Sequence, residues 1–243
     1  MSKTPIGIQL YSVRDSMAED FEGTLKKISE LGYSSVEFAG FFGHTAEQVN
    51  EILAKYNLTV SGTHSGFDDL VNNYDETVAY HKAIGNKYYI IPGYDLWSQE
   101  KLDKFVEQVN PICEKLAKDG ITLAFHNHYK EFEVLENGEM VYEQLIYRTN
   151  LKLEVDTYWA FVGMKNPIGL LERLGDRVIF AHIKDGDVNK NGKPLGMGEA
   201  PVKDVVAYVK SKGVPMVVES ETCNPTGLAE AEICINYLKS LED

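Results

Sequence analysis

Four side chains able to ligate a metal each stand at the end of a short, apolar, β-branched run: His126 in ITLAFHNH, Asp156 in LKLEVD, His182 in VIFAHIKD and Glu219 in PMVVES. Two imidazoles and two carboxylates suit Mn²⁺, Fe²⁺, Co²⁺ or Zn²⁺ better than Mg²⁺ or Ca²⁺, which favour all-oxygen shells. A carboxylate ending an apolar strand is costly to desolvate, so Asp156 and Glu219 each require a cation or several donors nearby. The competing reading pairs these carboxylates with Lys184 or Arg14. Close by in sequence are His128, two residues beyond His126, and Lys184, two beyond His182, each on the same side of the chain as its predecessor by strand alternation.

A bound cation with a general base beside it suits proton removal next to a carbonyl, with the metal stabilising an enediolate. Returning the proton to the other carbon would isomerise the substrate; returning it to the other face would epimerise it. Glu219 is the candidate base, with His128 or Glu37 on the opposite face and Lys184 to neutralise the developing oxyanion. His64 is a candidate for binding substrate hydroxyls, and Tyr11 and Trp159 are candidates for the apolar wall of the site. Each has a plainer alternative: histidines are often hydrogen-bonded structural residues, strand-end aromatics are often core, and Lys184 could simply pair with Asp156 or Asp185.

Such residues meet only if the strand ends converge. Runs near Ile6 to Leu10, Ser35 to Phe38, Thr59 to Thr63, Tyr88 to Ile91, Thr122 to His126, Leu151 to Asp156, Val178 to His182 and Met216 to Glu219 alternate with segments of helical period. Asp20 and Gly32 bracket one such helix, Thr45 with Gln48 forms a capping-box pattern, and Gly120 and Gly213 supply similar stops. Eight parallel strands in 243 residues predict a single (β/α)₈ TIM barrel spanning residues 1–243, with its site at the C-terminal mouth. An open doubly wound sheet would show the same alternation, but it usually carries a glycine-rich turn after its first strand, and IQLYSVRD has none. The glycine-rich stretch KDGDVNKNGKPLGMGEAPV is expected either to cover the mouth or, over Asp187 to Lys193, to be a solvated excursion.

The formal charge of −13 disfavours a nucleic-acid partner. Cys113, Cys223 and Cys234 are odd in number and lack C-x-x-C spacing, which fits reduced thiols. With neither a leader pattern nor a run of 18 apolar residues, a cytoplasmic location without membrane association is expected. Whether the protein is a monomer or a homo-oligomer stays open.

The segments GIQLYSVRD, VEFAG, FHNHYKEF, LEVDTYWA, AHIKDGD and VVES, taken in order over essentially the whole chain, resemble the xylose-isomerase-like barrels, a family of sugar and sugar-phosphate isomerases and epimerases. The resemblance implies a metal-dependent isomerase or epimerase with one divalent transition metal, Mn²⁺ first and Zn²⁺, Co²⁺ or Fe²⁺ as alternatives. It implies ligands on strands five to eight, here His126, Asp156, His182 and Glu219, and a small carbohydrate as substrate. Many epimerases of the family have a glutamate where this chain has His126, and a metal-bound imidazole is not free to accept a proton. The substitution therefore leaves room for lyase or hydrolase chemistry on keto-sugars. Endonuclease relatives use more metal ligands and a basic face. A carbohydrate-binding barrel without turnover would have the same sequence pattern and differ only in activity.

Overall fold

In the computed structural model, which describes residues 5–242, eight short strands pair in parallel and close on themselves. They are β1 (Ile6–Gln9), β2 (Ser35–Phe38), β3 (Thr59–His64), β4 (Tyr88–Ile91), β5 (Thr122–His126), β6 (Lys152–Asp156), β7 (Val178–Ile183) and β8 (Met216–Val218). Every expected strand forms, with ends within one residue of expectation; His64 closes β3 rather than following it, and Glu219 falls just beyond β8. Each strand pairs with its sequence neighbours, and β8 pairs with β1, so the fold is a (β/α)₈ barrel and the open sheet is excluded. Residues 1–4, on which the expectation about a leader bears, lie outside the described residues. No helix among the described residues is long and apolar enough to cross a membrane.

The helices begin and end where local chemistry directs. Asp20 accepts a hydrogen bond from the backbone of Gly23 to open helix Phe21–Leu31, and Gly32 closes it at φ 101°. Thr45 and Gln48 form the reciprocal capping box of helix Ala46–Lys55. Strand alternation then divides the side chains between two environments. Ile8, Val36, Phe125, Val155 and Ile183 pack outwards beneath the helices in the main core. Ile90, Ala124, Phe180 and Val217 point inwards and plug the lower barrel.

The next inward layer up is polar. Gln9, Glu37, His126, Glu154 and His182 are all buried there, with His64 beside them. Small-residue placement allows this: a Cβ at Gly62 would lie 3.2 Å from a Glu37 carboxylate oxygen and 2.7 Å from Ile90 Cδ1. Above lies the mouth, with Asp156, Glu219, Lys184 and His128.

The glycine-rich segment after β7 forms a two-stranded ribbon, Asp185–Gly186 against Gly192–Lys193. The buried Asp185 carboxylate accepts backbone hydrogen bonds from Gly186, Gly196, Gly198 and Ala200, which folds the segment back on itself. Its tip is exposed, and Tyr158 Oη donates to the carbonyl of Asp187 to tether it at 3.0 Å.

Candidate metal and substrate site

The top of the barrel encloses a cavity of about 340 Å³ lined by Tyr11, Ala39, His64, Pro92, His126, His128, Glu219 and Glu221. The four expected ligands, His126, Asp156, His182 and Glu219, come together with one donor atom from each within 4.8 Å of the others, and two of them, His126 and Glu219, line the cavity. All four are buried. The positions follow from register, because Asp156 pairs with His182 across β6 and β7, and His182 with Val217 across β7 and β8. Asn127 exchanges two 3.2 Å hydrogen bonds with the backbone of Asp156, tying the end of β5 to that of β6.

Asp156 divides its oxygens between two tasks. Oδ1 accepts from the backbone of Trp159 at 2.8 Å and caps helix Thr157–Met164. Oδ2 is buried with no hydrogen-bond partner among the described residues and faces Lys184 Nζ at 3.7 Å. Burial pushes this carboxyl up to about 7, although Lys184 pulls the other way. Lys184 Nζ also lies 3.2 Å from Glu219 and 2.8 Å from Glu221, and 4.7 Å from the ring centre of Trp159. Burial opposes its charge, but the three carboxylates more than offset this and hold the amine above its ordinary range. The pairing of Lys184 with Asp156 foreseen as an alternative is therefore present, and Arg14 takes a different role. Its guanidinium donates to the carbonyls of Tyr11 and Glu221 and stacks 4.3 Å over the Tyr11 ring, fastening the rim.

His128 lines the cavity, and its backbone amide donates to Glu131 at 2.8 Å. Burial, reinforced by Lys184, pulls its imidazole down to about 4, so the ring is neutral at neutral pH. Tyr11 stands half exposed at the rim. Trp159 is 7% exposed and packs against Tyr158 and Tyr129 below the surface; it does not line the cavity.

Glu37 and His64 are both drawn into the barrel. Glu37 is fully buried beneath the cavity floor, where Gln9 Nε2 donates to its Oε1 at 2.7 Å. His64 reaches the cavity with its ring, but its Nε2 turns inwards to Glu37 at 3.0 Å and Glu154 at 2.6 Å. Burial works against a charge on that ring, yet Glu37 and Glu154 outweigh it and raise the imidazole to about 10.

Glu154 was not among the residues singled out from sequence. It lies on β6 two residues before Asp156, fully buried, with Oε2 3.2 Å from His126 Nδ1 and 3.1 Å from His182 Nε2. The signal was present in LKLEVD, where alternation puts Glu154 and Asp156 on one side and no apolar strand interior needs a carboxylate. A second four-donor group, His64, His126, Glu154 and His182, results.

The model of the family described as xylose isomerase-like TIM barrel matches residues 25–241. The chain belongs to that family. Among solved structures, this xylose isomerase-like barrel superposes on a sugar phosphate isomerase/epimerase from Parabacteroides distasonis with a TM-score of 0.83 at 21% identity, covering 98% of both chains. A D-allulose 3-epimerase from Methylomonas sp. gives a TM-score of 0.71 at 16% identity over 98% of each chain. An AP endonuclease of family 2 from Brucella melitensis gives 0.74 at 17% identity, covering 94% of this barrel and 96% of that chain. No curated protein matches the sequence. At these identities the likeness establishes the fold that all of them share.

Proposed function

We propose that this barrel is a divalent-metal-dependent isomerase or epimerase of a small sugar or keto-sugar. The observation that carries the reading is the convergence of two imidazoles and two carboxylates, His126, Asp156, His182 and Glu219, two of which, His126 and Glu219, line the cavity. The unpartnered Asp156 Oδ2 fits a cation there, and the mixed donor set suits a transition metal such as Mn²⁺, Zn²⁺, Co²⁺ or Fe²⁺. When bound, such a cation supplies Lewis-acid polarisation of a substrate carbonyl.

The chain's own groups account for the remaining steps. Glu219 is held ionised: burial opposes its charge, but Lys184 and the neighbouring histidines outweigh it, so it can take a proton from the carbon next to the carbonyl. His128, neutral and lining the same cavity, can relay the proton by accepting it at one ring nitrogen as it releases one from the other; Glu37 faces the barrel interior, which leaves this role to His128. Lys184 neutralises negative charge that develops beside Glu219. Tyr11 offers an apolar face to the sugar ring, and His64 contributes its ring wall rather than its inward-turned Nε2.

A second reading, keto-sugar lyase or hydrolase chemistry, is favoured by one feature. With His126 at the strand-five position, Glu219 and Glu221 are the only carboxylates among the described cavity-lining residues, so a symmetrical pair of glutamates across the substrate is lacking.

The test is metal content and solvent-proton exchange. Wild type should hold transition metal and exchange the carbon-bound proton of a keto-sugar with deuterated solvent, and a folded Asp156→Ala, His182→Ala variant should lose both. Wild type that stays empty after incubation with Mn²⁺, Co²⁺ and Zn²⁺ would overturn the metal reading. Loaded protein that exchanges no proton with any keto- or aldo-sugar would favour a binding barrel without turnover.

A further inference from the structure

Beneath the cavity floor, four atoms form a closed ring in which carboxylate oxygens and imidazole nitrogens alternate. His64 Nε2 lies 3.0 Å from Glu37 Oε1 and 2.6 Å from Glu154 Oε2, and His182 Nε2 lies 3.0 Å and 3.1 Å from the same two oxygens. Were such a ring square, with edges of about 3 Å, its centre would lie about 2.1 Å from each corner, the length of a bond from a transition metal to imidazole nitrogen or carboxylate oxygen. His126 Nδ1 adds a fifth donor on one side, 3.2 Å from Glu154 Oε2.

Hydrogen bonding alone satisfies this ring poorly. Two N–H groups face two oxygens across four contacts, so each proton must be shared between two acceptors. Meanwhile Glu37 Oε2 and Glu154 Oε1 are buried with no partner among the described residues.

We propose that the ring is a second cation site, in which a divalent transition metal is held by Glu37, His64, Glu154 and His182 one layer below the ligand set at the mouth. His182, whose Nδ1 faces Glu219 at 3.4 Å, presents one nitrogen to each position and releases its ring proton to solvent when both are filled. The inner cation holds Glu37, His64 and His182 in place and completes the cavity floor. The inference goes beyond the proposed function and shares His182 with it, so the two are tested by different residues.

The experiment strips full-length protein of metal with a chelator and measures Co²⁺ and Zn²⁺ bound at equilibrium by elemental analysis. Visible absorption of Co²⁺ reports the geometry, and circular dichroism checks the fold. Wild type should bind two equivalents, Glu154→Leu one and Asp156→Asn one, with the cobalt spectra of the two variants differing. His64→Phe provides the same count as Glu154→Leu should that variant fail to fold. The proposal is overturned if Glu154→Leu and His64→Phe keep the wild-type stoichiometry and affinity, or if wild type binds no metal, which overturns the mouth ligand set too. A single equivalent lost in Glu154→Leu but kept in Asp156→Asn would uphold the inner site and remove the mouth set.

Discussion

Replacing Lys184 with methionine should destabilise the metal-free protein strongly, and by an amount that pH controls. The ammonium is 1% exposed and lies 2.8, 3.2 and 3.7 Å from Glu221, Glu219 and Asp156. Methionine nearly preserves the stem volume, so the change removes charge and opens little space. Removing one partner of a buried ion pair costs about 3–5 kcal/mol, because the other charge stays buried and uncompensated. For a chain of 243 residues each kcal/mol moves Tm by about 2–4 °C, which predicts a fall of roughly 6–20 °C at pH 8. Asp156 is already pushed by burial up to about 7, and loss of Lys184 raises it further. A carboxyl whose folded pKa exceeds its unfolded value destabilises the fold while ionised; the deficit is full above the folded pKa and disappears below the unfolded one. The gap between variant and wild type should therefore be widest at pH 8 and narrow towards pH 5. Thermal unfolding followed by circular dichroism at both pH values tests this. A fall of less than about 2 °C at pH 8, or a gap that widens on acidification, would refute the assignment of Lys184 as the neutralising charge.

Glu131 is mostly buried and raised to about 6 by that burial, so it weakens the fold above pH 6 and ceases to do so as pH falls towards 4.5. Glu131→Gln, which keeps an acceptor for the His128 amide, should raise Tm at pH 7.5 and leave it unchanged near pH 4.5; a lower Tm at pH 7.5 would count against this. Gly62→Ala would press a methyl to within 2.7 Å of Ile90 Cδ1 and 3.2 Å of Glu37, costing about 1–3 kcal/mol in a denaturant titration. His81, drawn down to about 4 by burial, contributes stability that is full above pH 6.5 and is lost as pH falls towards 4; His81→Gln should flatten that part of the pH–stability curve. Tyr11→Ala, at the rim, should raise KM for a sugar several-fold while kcat changes little.

The barrel was legible because its signals are local. β-Branched runs, the Asp20 and Thr45 caps and the Gly32 stop each act within a few residues. The convergence of the strand-end candidates His126, Asp156, His182 and Glu219 was legible for a related reason, since parallel strands of similar length bring their ends to one level. The polar layer below was harder to see. Glu37 stood out only as a possible acid or base and Glu154 only by a carboxylate in an apolar strand, and closure of the sheet is what brings β2, β3, β6 and β7 to one point. Trp159 illustrates the converse. Its place after Asp156 suggested a cavity wall, but the helix that Asp156 caps turns the indole under Lys184 and against Tyr158. The segment after β7 depended on Asp185 gathering four backbone amides, a tertiary arrangement that no periodicity announces.

The alternating ring of Glu37, His64, Glu154 and His182 draws one pair from the first half of the chain and the other from the second. Neither half possesses the ring alone; it comes into being when the two arcs of sheet meet along β4 with β5 and β8 with β1. Two fragments divided between β4 and β5 would each carry only two corners, so a signal from these four side chains would mark reassembly of the halves and make the site a built-in reporter of barrel closure.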